Sequence, residues 1–163
     1  MSLVGNRLVP FLLLCGLLLF APGCDDTDAV RTPETGFAVA LSVRDTQGAA
    51  TSTFSPGETV VFVVSVTNLA ISPATLHYPD SQRYDFDVTE DSGGHVWRWS
   101  NDGYFLQVLT DVEYDALQTR VYSVEWTQVA DDGEDAGAGS YEVQALLPCR
   151  NPMTSNRVSF EIR

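Results

Sequence analysis

From Phe37 onward, apolar and polar residues alternate with a period of two, the signature of strands with one buried and one wet face. Phe37, Val39, Leu41 and Val43 alternate with Ala38, Ala40, Ser42 and Arg44. Val60, Phe62, Val64 and Val66 mark a second strand, and Tyr84, Phe86 and Val88 a third, between Asp85, Asp87 and Thr89. Tyr122, Val124 and Trp126 mark a fourth, Tyr141, Val143 and Ala145 a fifth, and Val158, Phe160 and Ile162 a sixth. Residues 75–78, 95–99 and 104–109 carry weaker strand patterns. Turn chemistry separates these runs: Ser55-Pro56-Gly57, Tyr78-Pro79-Asp80-Ser81, Asp91-Ser92-Gly93-Gly94, Asn101-Asp102-Gly103 and residues 131–139. No segment keeps a period of 3.6 through three turns. Short strands without intervening helices predict an all-β fold, and an immunoglobulin-like antiparallel β-sandwich of roughly seven to nine strands fits best.

The chain ahead of the first strand reads differently. Residues 8–20 (LVPFLLLCGLLLF) are apolar, follow a start with one arginine and no acid, and end in Ala21-Pro22-Gly23-Cys24. The run is shorter than the roughly 18 to 20 apolar residues that span a bilayer. A short apolar core before a small-residue site describes a secretory signal peptide. Ala21, Gly23 and Cys24 resemble a bacterial lipobox, which implies lipid attachment at Cys24; ordinary cleavage would instead leave a thiol there. Two or more acyl chains anchor stably, at about 0.8 kcal/mol per buried CH₂. The predicted organisation is a signal peptide over 1–23, a lipid-anchored acidic tether over 24–36 and one β-sandwich over 37–163. The tether reaches at most about 40 Å. The expected location is the bacterial cell envelope, with membrane contact through the N-terminal lipid only. Asp25 resembles an inner-membrane retention signal, yet inner and outer membrane both stay open.

Charge narrows the partners. Nine Lys+Arg, all arginine, oppose 22 Asp+Glu for a net charge of −13. Without the first 23 residues the balance is eight arginines against all 22 acids, or −14. Such a chain has no clustered cations for phosphates, which excludes nucleic acid as a partner, and it is repelled by anionic lipid. Of the three cysteines, Cys15 leaves with the signal and Cys24 carries lipid. Cys149 remains as an unpaired structural thiol or as half of an intermolecular disulfide, so the core alone must hold the domain.

Catalytic patterns are missing. There is no HExxH, CxxC or GxSxG, and His77 and His95 lack an obvious third metal ligand; each is expected at a strand end. The reading is a non-enzyme without cofactor or metal. The acid run Asp131-Asp132-Gly133-Glu134-Asp135 does not match calcium-loop spacing and reads as a solvated loop. The most individual stretch is the aromatic run from Trp97 to Phe105. Trp97 and Trp99 share one face at strand spacing; they either plug the sandwich or, with Arg98, form a contact patch, since Trp, Tyr and Arg dominate interface hot spots. At least one tryptophan is expected in the core. The candidate protein-binding residues are therefore Tyr78, Asp80, Gln82 and Arg83 in one loop, and Trp97, Arg98, Trp99, Asn101, Asp102 and Tyr104 in the other.

An ordered set of motifs resembles the BsuPI family of intracellular proteinase inhibitor domains. It runs from Phe54-Ser55-Pro56-Gly57-Glu58 through the strand beginning at Val60 into Thr67-Asn68-Leu69 and Thr75-Leu76. It continues with Ser81-Gln82-Arg83-Tyr84-Asp85-Phe86-Asp87-Val88, Gly94-His95-Val96-Trp97-Arg98-Trp99-Ser100, Tyr104-Phe105, residues 122–126 and Gly139-Ser140-Tyr141-Glu142-Val143. The resemblance implies an immunoglobulin-like sandwich that inhibits serine proteinases of the subtilisin type by protein–protein binding. It implies no reactive loop. The chain departs from the family in carrying an export signal, and in having residues 115–119 where a proline-glycine turn is usual. The alternative expectation is a non-inhibitory binding or assembly module of the envelope.

Overall fold

The computed structural model describes Val30–Thr32 and residues 36–163. Cys24, the predicted signal peptide and most of the predicted tether lie outside the described residues. The strands are β1 (Val30–Thr32), β2 (Phe37–Arg44), β3 (Thr53–Phe54), β4 (Val60–Asn68), β5 (Ala74–Tyr78) and β6 (Asp85–Glu90). They continue with β7 (His95–Arg98), β8 (Thr110–Tyr114), β9 (Thr119–Trp126), β10 (Gly139–Leu147) and β11 (Met153–Ile162). One 3-10 turn, Trp99–Asp102, follows β7.

Two sheets face each other, with strand orders β1-β2-β4-β9 and β3-β11-β10-β6-β7; β5 and β8 form a separate two-stranded ribbon. The alternation dictates this packing. Between β2 and β4, Val39 pairs with Val66, Leu41 with Val64 and Val43 with Phe62, all buried, while Ala40, Ser42, Val63 and Ser65 face outward. From the second sheet Phe86, Val88, Tyr141, Val143, Ala145 and Phe160 meet them. Phe62 is the hub: its ring centroid lies 5.9 Å from Phe86, 6.2 Å from Trp97, 6.0 Å from Trp126 and 5.9 Å from Phe160. Each such side chain contributes about 1.5–3 kcal/mol by burial.

The fold is the all-β immunoglobulin-like sandwich, with eleven strands among the described residues. The surplus over the expected number comes from short pieces. β1 lies inside the stretch read as tether, yet Val30 pairs with Val39 and Thr32 with Phe37. Two-residue β3 runs parallel to β11, the one parallel pairing among the described residues, and shifts the chain from one sheet to the other. Residues 104–109, a weak strand pattern, find no ladder; the strand is the next five residues, β8. Past Val39 the free edge of β2 is closed by a side chain instead of a strand. Leu41 N–H donates to Asn156 Oδ1 at 2.9 Å, which satisfies an edge that would otherwise invite pairing.

The ribbon positions the site. Leu76, Tyr78, Val112 and Tyr114 point inward, and Thr75, His77, Asp111 and Glu113 outward. At one end buried Asn68 fastens it, donating to Ser72 O and Asp115 O at 2.9 Å each. Near the other end Arg150 N–H donates to His77 O at 2.7 Å, tying β5 to the β10–β11 turn.

Candidate protein-contact site

Two loops leave the far end of the ribbon, where Tyr78 pairs with Thr110: residues 79–83 after β5 and residues 103–109 before β8. Ser81 joins them. Its N–H donates to Leu106 O at 3.0 Å, and its Oγ accepts from Leu106 N–H at 2.8 Å. Both backbone polar groups of Leu106 are thus held by one residue of the other loop. Val108 N–H then donates to Leu106 O at 2.8 Å, a three-residue turn with Gln107 at its apex. Thr110 Oγ1 donates to Val108 O at 3.0 Å and closes the segment against β8.

The loop is also rooted in the core. The Phe105 ring lies 5.6 Å from Trp99, which stacks on Tyr84 at 4.6 Å; Tyr84 meets Phe86 at 5.8 Å, and Phe86 meets Phe62. Gly103 makes room for this seat, since a Cβ there would stand 2.6 Å from Phe105 Cζ. Above the seat, Tyr104 is fully exposed, Leu106 is 73% and Leu109 83% exposed, and Val108 also faces solvent. No charged residue falls between positions 103 and 110. Beside Leu109 an open groove of about 570 Å³ is lined by His77, Tyr78, Pro79, Asp111, Cys149 and Arg150.

The structure joins the first nominated loop to residues 104–109, which read as a weak strand and share only Tyr104 with the second, and it divides the nominated residues. Tyr78 is 2% exposed and Trp97 8%, so both are core; Tyr78 instead carries the Arg83 guanidinium, 5.0 Å from its ring centre. Burial pushes the Tyr78 hydroxyl well above the usual phenol range. Asp80 shapes its own loop: Oδ1 accepts from Gln82 N–H at 2.8 Å and its carbonyl from Arg83 Nη1 at 3.0 Å. Gln82 Nε2 donates to Tyr84 O at 3.2 Å. Arg98 Nε lies 3.2 Å from Asp85 Oδ2, an ion-pair distance without hydrogen-bond alignment. Asp85, expected on a wet face, is buried, because it accepts from Ser100 N–H at 3.1 Å and Ser100 Oγ at 2.7 Å and so holds the 3-10 turn. Trp99 is half-buried, while Asn101 and Asp102 are exposed with Tyr104. Sequence reasoning missed Ser81, Phe105, Leu106, Val108 and Leu109 as site residues. The signal was present in the uncharged run YFLQVL, but it passes for a strand until no partner strand is found.

The acid run between β9 and β10 is also organised. Asp131 accepts from His95 Nε2 at 2.8 Å, from Arg98 N–H at 3.2 Å and from Asn101 Nδ2. Burial raises its carboxyl, but these donors outweigh burial and hold it below the usual carboxylate range. His95 Nδ1 also lies 3.1 Å from Asp87, and His77 Nδ1 lies 2.7 Å from Asp111. Among the described residues no His, Cys, Asp and Glu group is arranged to hold a metal ion. Cys149 is buried and donates from Sγ to Asn151 O at 3.0 Å; burial pushes its thiol up.

Residues 46–152, well over half the chain, match the family model described as "BsuPI: Intracellular proteinase inhibitor". The chain belongs to the BsuPI family. The match takes in both loops, the ribbon and most of the two sheets. Among solved structures the BsuPI chain is similar to the C-terminal domain of wzt, at 8% identity and TM-score 0.54, over 79% of this chain and 74% of that one. It is also similar to the Pseudomonas fluorescens alkylpurine DNA glycosylase AlkC, at 13% identity and TM-score 0.48, over 79% of this chain and 31% of that one. The β-glucosidase EmGH1 from Erythrobacter marinus matches at 12% identity and TM-score 0.48, over 79% of this chain and 16% of that one. The first likeness shows the sandwich fold; the other two are too distant to bear on function, and the BsuPI chain spans under a third of each. No curated protein matches the sequence.

Proposed function

We propose that this BsuPI domain inhibits serine proteinases of the subtilisin type by protein–protein binding, and that lipid on Cys24 holds it at the bacterial cell envelope. The family match supports a proteinase inhibitor-like domain with a proteinase as protein partner. The observation that carries the reading onto a surface is the pair of loops locked together between Ser81 and Leu106, with Leu106, Val108 and Leu109 exposed above a seat of aromatic rings. A rigid, uncharged, protruding segment loses little conformational freedom when bound, so more of its contact energy appears as affinity. The chain as a whole is acidic, which favours a target with a neutral or positive surface. The anchor is supported by the lipobox-like Ala21, Gly23 and Cys24.

The test is a titration of subtilisin with the purified domain from residue 24 onward, carrying Cys24→Ser to keep it soluble. Activity should fall in proportion to added domain and reach near zero close to an equimolar ratio. Full activity beside an intact, folded domain removes the inhibitor reading and leaves a non-inhibitory envelope binding module.

A further inference from the structure

We propose that residues 106–109 enter the substrate cleft of the target proteinase as a substrate-like segment, that the target's pockets take large uncharged side chains, and that Ser81 is the positioning residue that prevents turnover. The inference rests on the inhibitor reading and assigns it a loop, a specificity and a mechanism.

The two loops are not equivalent. Residues 79–83 spend their polar groups internally, on Gln82, Arg83 and Leu106, so they serve as the support. Residues 104–109 spend the backbone groups of Leu106 and Val108 on the lock but leave the apex between them open. Gln107 at the apex takes part in no hydrogen bond among the described residues, so its N–H and C=O are available to pair with the edge of a cleft. Leu106 and Val108 flank that apex, with Leu109 next, on an uncharged stretch, which selects apolar pockets and gives nothing to a pocket built around a carboxylate.

Insertion alone describes a substrate. Hydrolysis would add one water across a loop peptide bond, leaving a carboxylate and an amine. In a loose loop those two ends diffuse apart and the proteinase is released. Here the segment is gripped on both sides. Upstream, Leu106 is tied to Ser81 through N–H and C=O, and Phe105 is seated on Trp99. Downstream, Val108 O is held by Thr110 Oγ1 where β8 begins. Held ends stay within reach of each other, so the bond reforms with loss of the same water and the complex persists.

The experiment compares wild type, Leu106→Asp, Leu109→Asp, Ser81→Ala and Ser81→Thr against subtilisin, with trypsin as a proteinase whose pocket wants a cation. Wild type should inhibit subtilisin and leave trypsin active. Leu106→Asp and Leu109→Asp should each raise Ki at least 100-fold with unchanged thermal unfolding, because both side chains are solvent-exposed. Ser81→Ala should inhibit at first and then lose inhibition over hours, with two fragments by intact mass whose junction lies between positions 104 and 110. Ser81→Thr retains the hydroxyl and should restore resistance. Wild-type inhibition undiminished by either aspartate overturns the insertion, and Ser81→Ala that stays uncut, or is cut elsewhere, overturns the clamp. No inhibition by wild type removes the inhibitor reading itself, a separate result.

Discussion

Asp131 draws donors from three directions: the His95 ring, the Arg98 backbone and the Asn101 side chain. It thereby pins the β9–β10 connection to the strand and turn that carry Trp97 and Trp99. Because those donors hold the folded carboxyl below its usual range, the unfolded chain takes up a proton first on acidification. The sign follows: the contribution to stability is full above the unfolded carboxylate value of about 3.9 and is lost as pH falls through the lower folded value. Urea unfolding of wild type and Asp131→Asn should therefore differ at pH 6 and converge toward pH 2. A gap that stays constant over that range would refute the assignment. Nothing in the sequence marked this residue among the five positions of its acid run, because its partners lie about 30 or more positions away. The same holds for Asp85, whose burial depends on Ser100 and Arg98 folding back over it.

Elements were legible where a strand buries one face, and illegible where a neighbour decides. β2, β4, β6, β9, β10 and β11 all follow from alternation, since the sheet period and the burial period coincide. β1 and β3 are too short to show a period, and β8 differs from residues 104–109 only in having β5 beside it. The candidate site was half legible: turn chemistry marked residues 78–81 and 101–103, but residues 104–109 read as a strand and their contact with Ser81 is a matter of topology. The turn before β4 shows how such joins are stabilised. Gly57, at a φ of 78°, takes the left-handed position after Pro56. Gln128, just past β9, is buried at a φ of 63° and grips that turn. Its Nε2 donates to Ser55 O at 2.9 Å and Glu58 O at 2.8 Å, and its Oε1 accepts from Gly57 N–H at 2.8 Å. Three bonds offset an unfavourable backbone angle. Gln128→Ala should lose about 2–3 kcal/mol, read by urea unfolding, because it removes three hydrogen bonds from the turn while keeping the strained angle. A loss under about 0.5 kcal/mol would show that water replaces the amide.

Across the whole molecule, the ribbon separates two ends with different roles. Gly36 O accepts from Leu69 N–H at 2.8 Å, and Ala70 O from Leu117 N–H at 3.1 Å, so Gly36, just ahead of β2, lies on the side of the Ala74–Tyr114 end of the ribbon. The exposed leucines of residues 104–109 stand beyond the Tyr78–Thr110 end, four residue steps or roughly 14 Å further along. With β1 paired to β2, only residues 25–29 remain between the proposed lipid and the sheet, a reach of at most about 18 Å. A lipid on Cys24 would reach the sheet at Val30, opposite Val39 of β2, while the proposed proteinase contact lies beyond the Tyr78–Thr110 end of the ribbon. For a domain so anchored, the net negative charge would keep the body off an anionic surface. In a lipoprotein-processing bacterium, a fatty-acid analogue should label wild type and leave Cys24→Ser unlabelled, while both forms inhibit added subtilisin equally. Equal labelling would remove the anchor. Inhibition by Cys24→Ser but not by the membrane-bound form would place the contact loop against the lipid and overturn an anchored inhibitor with its loop free.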